Sequence, residues 1–350
     1  MNRIQSIKVK NLLKQVLLFC CSVVLFSGLS ACDDDDDNGT VNEKPSITVL
    51  MGFNGKGNND YSALIYKAIA EWEKNPDVDM KVFYPSTNEE AIEIYKNWCE
   101  KTANGGRVLM VPANGQFEYM VNNTPLSLAS NQQVLAFEMH LAHPIKGVEC
   151  FEISHSGVSY LAGKMASKCK EAVVLVGHKT PMLEHATKCF QKGFGNDAHF
   201  QVHEISKWFD GFNKPEEAKR LAAQHRDAFI LPLAGLSNEG VYEFLNECDA
   251  KDKIIAAGMD VDCNHKSSRI PFSYLVNIDK AINLYLQSWF DGEPWPSKTV
   301  LGLKSGITGI AINSDFKDID AATIADLKAC YNAYFDEACE WDKMQREEIQ

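Results

Sequence analysis

The feature that most constrains the fold of this chain is a repeated unit: a short run of apolar residues, a polar loop, and then a helical pattern. The first unit lies at 46–72, where an apolar run at 47–51 leads into a loop rich in Gly and Asn. The helical part is recognised by apolar residues that recur on one face: Tyr61, Ile65, Ala68, Ile69 and Trp72. A strand that feeds a helix through glycines presents backbone N–H groups at the carboxyl edge of a sheet, where such sheets bind ligands.

The unit recurs along most of the chain. Further strands are predicted at 80–84, 107–112, 134–138, 148–153, 172–177, 200–205, 228–233, 253–258, 273–276 and 299–303. Helices are predicted between them at 89–102, 158–168, 182–194, 215–225, 238–248 and 279–290, with a last helix from about 320. Most of the strands are continuously apolar, which is typical of parallel sheets covered on both faces. The pattern therefore predicts an α/β protein.

The first 31 residues have the pattern of an export signal. Four basic residues precede an apolar run at 16–29, which is short for a membrane span. The run ends in Leu-Ser-Ala-Cys at 29–32, which resembles the lipobox of bacterial lipoproteins. The resemblance implies cleavage before Cys32 and acylation of this residue, so that lipid chains attach the protein to a membrane. An ordinary secretory signal is the alternative.

An acidic tether follows, at 32–45, and contains five consecutive aspartates at 33–37. Like charges at this density repel one another and stay solvated, so the segment is expected to be a linker. An acidic run directly after the lipid-bearing Cys resembles an address for the outer-membrane surface in some Gram-negative bacteria. In others an acidic residue there retains the protein at the inner membrane, and we favour the outer membrane.

The charge and cysteine content exclude several classes. Loss of the four basic signal residues would take the net charge from −12 to about −16, which disfavours nucleic acid and anionic membranes as partners. Eight cysteines remain after Cys32, and none is part of a Cys-x-x-Cys motif. They are interpreted as buried thiols, although disulfides are possible outside the cytosol and the sequence does not give a pairing. No metal and no cofactor is predicted.

Five short motifs, in this order, resemble the basic membrane protein family of purine-nucleoside-binding lipoproteins of ABC importers. They are Tyr-Leu-Ala-Gly at 160–163, Ala-Gly to Gly-Val at 234–241, Gly-Met-Asp-Val-Asp at 258–262, Asn-Ile-Asp-Lys-Ala at 277–281, and Leu-Gly-Leu-Lys at 301–304. The resemblance implies the type I periplasmic-binding-protein fold, with two Rossmann-like lobes, parallel sheets and an interlobe cleft. Lobe 1 is expected to comprise 46–155 and 272–298, and lobe 2 to comprise 156–271 and 299–345.

The same resemblance implies a set of ligand-binding residues. In that family a base stacks between aromatic rings and a carboxylate accepts hydrogen bonds from the ribose hydroxyls. Asp260 is the candidate carboxylate, and Tyr61 or Phe53 is the candidate ring. Asp260 could instead brace its turn, and Tyr61 could instead belong to the core.

Two departures from the family pattern broaden the ligand class. Phe53 and Asn54 lie where the family has an Asp that reads the base, and Asn277 replaces a Lys. The ligand is therefore expected to be a nucleoside, a sugar or another small polar molecule. Neutral groups that suit hydroxyl-rich ligands occur in the loops and complete the candidate set: Asn54, Asn58, Asn114, Gly235, Ser237 and Asn277.

Other chemistries have weaker signatures. Neither 155–157 nor 235–238 matches the Gly-x-Ser-x-Gly elbow of a hydrolase. His199 and His203 are about 13 Å apart if both lie on a strand, too far to share one ion. The acidic loop at 260–265 is a minor alternative as a cation site.

The favoured hypothesis is a non-enzymatic, lipid-anchored solute-binding protein that delivers a small ligand to an ABC permease. A surface sensor or adaptor and, less favoured, an enzyme acting on a nucleoside or sugar are the alternatives.

Overall fold

The computed structural model describes residues 44–52, 60–103, 105–124, 126–297, 299–317 and 322–344. The predicted signal, Cys32, the acidic tether up to residue 43 and the candidate site residues Phe53, Asn54 and Asn58 lie outside this part of the chain. Within it, no helix has the length and apolar character needed to cross a membrane.

The first sheet contains five parallel strands in the order β2-β1-β3-β4-β5. The strands are β1 (Ser46–Leu50), β2 (Asp79–Phe83), β3 (Val108–Pro112), β4 (Gln132–Phe137) and β5 (Val148–Phe151). The helices that follow β1, β2 and β3 are α1 (Asp60–Trp72), α2 (Asn88–Lys101) and α3 (Glu118–Asn123). Every residue of β3 is buried, as expected for a strand inside a sheet that is covered on both faces.

The second sheet is also parallel, with the order β7-β6-β8-β9. Its strands are β6 (Ala172–Val176), β7 (Phe200–Glu204), β8 (Phe229–Leu233) and β9 (Ile255–Ala256). Its helices are α4 (Ser156–Ala166), α5 (Pro181–Phe194), α6 (Pro215–Ala222) and α7 (Asn238–Glu247). The predicted α/β fold with parallel sheets is confirmed. Strands β6 and β8 are buried along their whole length, whereas β7, at the edge of the sheet, is half-buried or exposed.

A small third sheet departs from the prediction. It joins β10 (Gly258–Asp260) in parallel to β11 (Phe272–Val276), and β11 in antiparallel to β12 (Thr308–Ile312). The predicted strand at 299–303 is wrong, because only Leu301 pairs there, in an isolated bridge with Ile153. Most of β12 is half-buried, so its sequence lacks the continuous apolar pattern that identified the other strands.

The strand and the helix within the predicted lobe 1 interval 272–298 have different neighbours. Strand β11 pairs with β10, whereas the helix after it, α8 (Ile278–Asp291), packs on α1. Lys67 Nζ lies 2.8 Å from Asp279 Oδ2, and Trp72 Nε1 donates to Asn283 Oδ1 at 3.0 Å. The division into two lobes stays a prediction, but within the interval 272–298 it is α8 that contacts the first sheet's helices.

The last helix, α9 (Ile324–Trp341), ends beside the segments that lead into α4 and into the turn at 302–306. The buried carboxylate of Asp342 accepts the backbone N–H of Gly157 at 2.9 Å and that of Leu303 at 2.7 Å. Burial is the main cause that raises the pKa of Asp342 above its usual value. Asp342 thus ties three distant parts of the chain together.

The eight described cysteines are free thiols. Five of them are buried, in agreement with the interpretation as core residues: Cys99, Cys169, Cys189, Cys263 and Cys339.

Candidate functional site

Three polar side chains from different elements come together at the carboxyl ends of the strands. Tyr61 is the second residue of α1, Glu138 follows β4, and Asp260 is the last residue of β10. The pKa of Tyr61 is raised well above its usual value by burial and, to a smaller extent, by the negative charges of Glu138 and Asp260. The Tyr61 ring also packs against the main hydrophobic core, and α1 contacts β10. Tyr61 therefore lies between the core and a polar site to which two sheets each contribute a carboxylate, Glu138 and Asp260.

The two carboxylates share an unusual backbone geometry. Glu138 has φ +56° and Asp260 has φ +68°, whereas the other residues with positive φ in the described chain are glycines. A left-handed conformation is unfavourable for residues with a Cβ, and retained strain of this kind is concentrated at functional sites. The strained backbone therefore marks the ends of β4 and β10 as candidate positions for a functional site.

Asp260 lines a small cavity at the carboxyl ends of β8 and β10. The cavity measures about 10 Å³, which is room for roughly one water molecule. Gly235, with φ +57°, forms the tight turn after β8, and α7 supplies one wall. The complete lining consists of Gly235, Leu236, Asn238, Glu239, Tyr242, Met259 and Asp260.

Tyr242 contributes a polar atom that the sequence did not identify. Its ring is 3% exposed, and its hydroxyl makes no hydrogen bond of normal geometry to the described residues, although the backbone of Met259 lies close enough to act on its pKa. Burial, followed by the neighbouring Cys263 and Asp260, raises its pKa well above the usual value, so the hydroxyl keeps its proton. A buried hydroxyl without a partner loses hydration without compensation, and a ligand atom in the cavity would restore a hydrogen bond.

Glu138 begins a polar chain that runs into the protein. Its Oε1 accepts the N–H of Ile153 at 2.8 Å, and its buried Oε2 lies 3.7 Å from Nε2 of His155. Both of these atoms lack hydrogen bonds to the described residues. His155 Nδ1 is 3.0 Å from the hydroxyl of Tyr274, which is also 3.0 Å from Ser159 Oγ. Glu138 is therefore connected through one loose contact to a tight internal network.

Asn114 lies near the same edge of the first sheet. Its side-chain oxygen accepts the N–H of Gln116 at 3.0 Å and caps the turn after β3. Its Nδ2 would lie 3.1 Å from a Cβ placed on Gly52, so it is beside the end of β1. The structure thus places Asn114 next to Gly52, directly after the end of β1.

Ser237 and Asn277 make internal contacts. Ser237 is fully buried; its hydroxyl donates to the carbonyl of Gly211 at 2.7 Å and accepts the N–H of Lys214 at 2.7 Å. Asn277 Nδ2 donates to the carbonyl of Gly306 at 2.9 Å. Each side chain braces a loop, and its role as a ligand contact stays a prediction.

Sequence reasoning missed Glu138, Tyr242 and His155. Glu138 had a usable signal, because it is a charged residue at the end of an otherwise apolar strand. Tyr242 had none, since it fits the apolar face of α7 like any core residue. His155 owes its place to contacts with β4 and β11, which are far away in the sequence.

One serine–histidine contact has the residue types of a nucleophile and its base. Ser156 Oγ lies 2.7 Å from His185 Nε2, but Ser156 is 3% exposed and His185 is 9% exposed. The contact joins α4 to α5, which pack closely together. It is therefore a structural link between helices, with no access for a substrate. The described residues contain no group of three or more His, Cys, Asp or Glu side chains that could hold a metal ion.

Comparisons with known proteins identify the fold and leave the family open. No family model and no curated protein sequence matches the chain, so membership of the basic membrane protein family stays a prediction. A solute-binding protein of an ABC transporter system from Aeropyrum pernix K1 is 12% identical, with a TM-score of 0.61, and the alignment covers 88% of this chain and 91% of that one.

Two further solved structures have the same architecture. GanP, a glucose-galactose binding protein from Geobacillus stearothermophilus, has 14% identity and a TM-score of 0.55 over 79% of this chain and all of that chain. A transcriptional activator of the comK gene from Bacillus halodurans has 14% identity and a TM-score of 0.56 over 84% of this chain and 98% of that one. The α/β fold of this chain is thus that of periplasmic binding proteins, as predicted.

Proposed function

We propose that this chain is a lipid-anchored, non-enzymatic solute-binding protein whose ligand is small, uncharged and rich in hydroxyl groups, a sugar or a nucleoside. The observation that carries the proposal is the convergence of Tyr61, Glu138 and Asp260. Two carboxylates and an aromatic hydroxyl, from separate sheets, meet where open α/β sheets bind ligands.

The chemistry of these groups suits a diol. An ionised carboxylate accepts hydrogen bonds from two adjacent hydroxyls, and such charge-assisted bonds are stronger than neutral ones. The Tyr242 hydroxyl can donate to a ring or hydroxyl oxygen of the same ligand. Tyr61 offers the edge or face of its ring, in keeping with its predicted stacking role.

The size of the cavity makes a conformational change part of the proposal. A cavity of about 10 Å³ accommodates no sugar, so ligand entry requires the elements that line it, the turn after β8, the end of β10 and α7, to move apart. Solute-binding proteins of this fold among the solved structures include one with bound D-allose and one bound with α-D-tagatopyranose. Sugars are accordingly the first ligands to test.

Anchoring and delivery rest on the sequence. We infer that Cys32 carries the lipid, that the acidic tether spaces the domain from the membrane, and that the anchor is in the outer membrane rather than the inner one. An anchor in the inner membrane would allow direct delivery to an ABC permease. An anchor in the outer leaflet of the outer membrane would exclude direct delivery.

A surface sensor is therefore the second candidate function. The observation that favours it is that a transcriptional activator and a transcription regulator share the fold with the solute-binding proteins. In a sensor the same site would bind the ligand, and closure would signal to a membrane partner instead of supplying a permease. Both candidates make the same prediction for binding and differ in their partner.

Calorimetric titration of the mature protein with a panel of monosaccharides and nucleosides tests the proposal. We expect binding of at least one compound, and we expect Asp260→Ala to abolish or strongly weaken it while the variant stays folded. Asp262→Ala is the matched control, because Asp262 is an exposed carboxylate on the same loop. Absence of binding to the whole panel, or equal affinity for wild type and Asp260→Ala, would overturn the proposal or its site.

A further inference from the structure

Among the described residues, the exposed aromatic side chains all lie at or after the carboxyl end of a parallel strand. Phe83 and Tyr84 are at the end of β2, Tyr119 lies in α3 after β3, and Trp208 and Phe209 follow β7. All of them lie where a parallel strand reaches its carboxyl end, which is the edge that carries Tyr61, Glu138 and the cavity. Exposed apolar groups concentrated at one site mark a binding surface, whereas scattered ones need no explanation.

The loop after β7 displays the most exposed pair. Trp208 is 76% exposed and Phe209 is 60% exposed, in a chain with a formal net charge of −12. The Phe209 ring packs at one side against His178, with ring centroids 5.2 Å apart, and against Phe212 at 6.1 Å. Phe212 in turn contacts the backbone position of Gly235, which lines the Asp260 cavity. Two van der Waals contacts thus connect Phe209 with the wall of the cavity.

The loop is held rigidly, so its aromatic rings are presented in a fixed orientation. Asp210 accepts from Ser206 Oγ at 2.5 Å and pairs with Lys214 Nζ at 2.7 Å. The buried Ser237 hydroxyl bonds to Gly211 and Lys214 and so fastens this loop to the turn that contains Gly235. A surface that is ordered before binding loses less conformational entropy when a ligand binds.

We propose that the ligand is a carbohydrate chain of two or more sugar rings, with one ring over Asp260 and the next stacked on Trp208 and Phe209. This inference rests on the proposed function and specifies its substrate class. A sugar ring has an apolar face of C–H groups that fits an exposed aromatic plane, and a polar edge of hydroxyls that solvent or loop groups can satisfy. It is uncharged, whereas a chain with a formal net charge of −12 repels a nucleic acid strand.

The continuity of the surface argues for a chain rather than a single ring. The Asp260 cavity and the Phe209 ring are separate positions, because Phe212 lies beside Phe209 on one side and beside Gly235, in the cavity wall, on the other. A linear oligosaccharide spans both without any change in the loop. The exposed rings after β2 and β3 lie at the carboxyl ends of strands of the first sheet and offer stacking positions for further sugars.

The test compares each trisaccharide with its own monosaccharide by calorimetry on the mature protein. The probes are maltotriose, cellotriose, mannotriose and xylotriose, with glucose, mannose and xylose. We expect at least one trisaccharide to bind about tenfold or more tightly than its monosaccharide, as one additional stacked ring predicts. Trp208→Ala should remove most of this gain and leave the monosaccharide affinity unchanged, and Trp208→Phe should retain much of it.

Leu284→Ala is the matched control, because Leu284 is 40% exposed on α8, away from the strand ends. Equal affinity for trisaccharides and monosaccharides would overturn the inference and leave the proposed function intact. So would an unchanged trisaccharide affinity in Trp208→Ala, or binding confined to nucleosides. If wild type bound neither sugars nor nucleosides, the proposed function itself would be overturned.

Discussion

Glu138 and Asp260 adopt the same left-handed backbone conformation at the carboxyl ends of strands in two different sheets. Both carboxylates raise the pKa of Tyr61, and α1, which carries Tyr61, contacts β10. A residue with a Cβ that is held at positive φ costs stability, about 1 kcal/mol or more, unless the surrounding contacts require it. A Glu or an Asp at a position whose backbone favours Gly is best explained by a task that Gly could not perform.

Asp260→Gly separates the effect of the positive φ at this position on stability from the effect of the carboxylate on ligand binding. Glycine adopts positive φ without strain, so we expect the free energy of unfolding to stay equal or to rise by up to about 1 kcal/mol. Asp260→Ala should instead be destabilised relative to the Gly variant by a similar amount. Both variants should bind the ligand about 10 to 100 times more weakly, because they lack the charged acceptor. Urea unfolding and calorimetry measure the two effects, and a Gly variant with full affinity would contradict the assignment.

Tyr242→Phe tests whether the unpartnered hydroxyl serves the ligand. The change removes a polar atom that has no hydrogen bond in the described structure, so stability without ligand should stay the same or increase slightly. Ligand affinity should fall about fivefold to tenfold, since one neutral hydrogen bond is lost. Thermal unfolding with and without ligand measures both quantities.

Tyr274→Phe is the control for that change. The Tyr274 hydroxyl is buried and lies 3.0 Å from both His155 Nδ1 and Ser159 Oγ. Its removal should destabilise the protein by about 1–3 kcal/mol, because partners inside the core are left unsatisfied. If the two tyrosines responded alike in the absence of ligand, the distinction between a site hydroxyl and a structural hydroxyl would be wrong.

The sequence predicted the sheets better than the site. Continuous apolar runs such as β3, β6 and β8 report burial on both faces, and the order of strand and helix then leaves little choice of fold class. Strand β12 was not predicted from the sequence, because most of its residues are half-buried and it pairs through backbone atoms at the edge of its sheet. The contact between Glu138 and His155 was not predicted either, because it depends on how the end of β4 and the start of α4 pack together, which no local sequence pattern encodes.

Ser237 is the converse case, a residue that the sequence predicts as a ligand contact and that makes internal hydrogen bonds in the structure. Its place in a polar loop after a strand predicts a ligand contact, since such loops bind ligands in this fold class. In the structure the hydroxyl fastens the loop at 206–213, a contact across 26 residues that the sequence does not reveal. Asp260 was selected by a resemblance of motifs, and the cavity and the strained backbone now give independent reasons to test it.

Three glycines within eight residues allow a graded test of the segment that contacts Asp342. A Cβ on Gly302 would overlap the carboxylate of Asp342. A Cβ on Gly306 would meet no atom within 4 Å, but the backbone of this residue has φ +69°. A Cβ on Gly309 would make an ordinary contact at 3.9 Å. Substitution by Ala should therefore leave Gly309 near neutral, cost about 1 kcal/mol at Gly306, and cost about 2 kcal/mol or more at Gly302. Urea denaturation gives the order, and a Gly302 variant as stable as the Gly309 variant would refute the close packing.

Asp342→Asn tests the link between α9, α4 and the turn at 302–306. The carboxylate accepts two backbone N–H groups, whereas an amide has a single acceptor oxygen and would direct an NH₂ group at one of the donors. We expect a loss of about 1–3 kcal/mol in the free energy of unfolding at pH 7. Asp336→Asn, on the exposed side of α9, is the control and should have little effect.

The pH dependence of the same variant follows from the raised pKa of Asp342. Because the folded state binds this proton more tightly than the unfolded state, the resulting stabilisation is fully present below the unfolded pKa of about 3.8 and is lost as pH rises through the folded value. The stability difference between wild type and Asp342→Asn should therefore be larger at pH 4 than at pH 7. Urea unfolding of both proteins across this interval measures it. A difference that grew towards neutral pH would mean that the hydrogen bonds to Gly157 and Leu303, and not burial, dominate the titration of this carboxyl group.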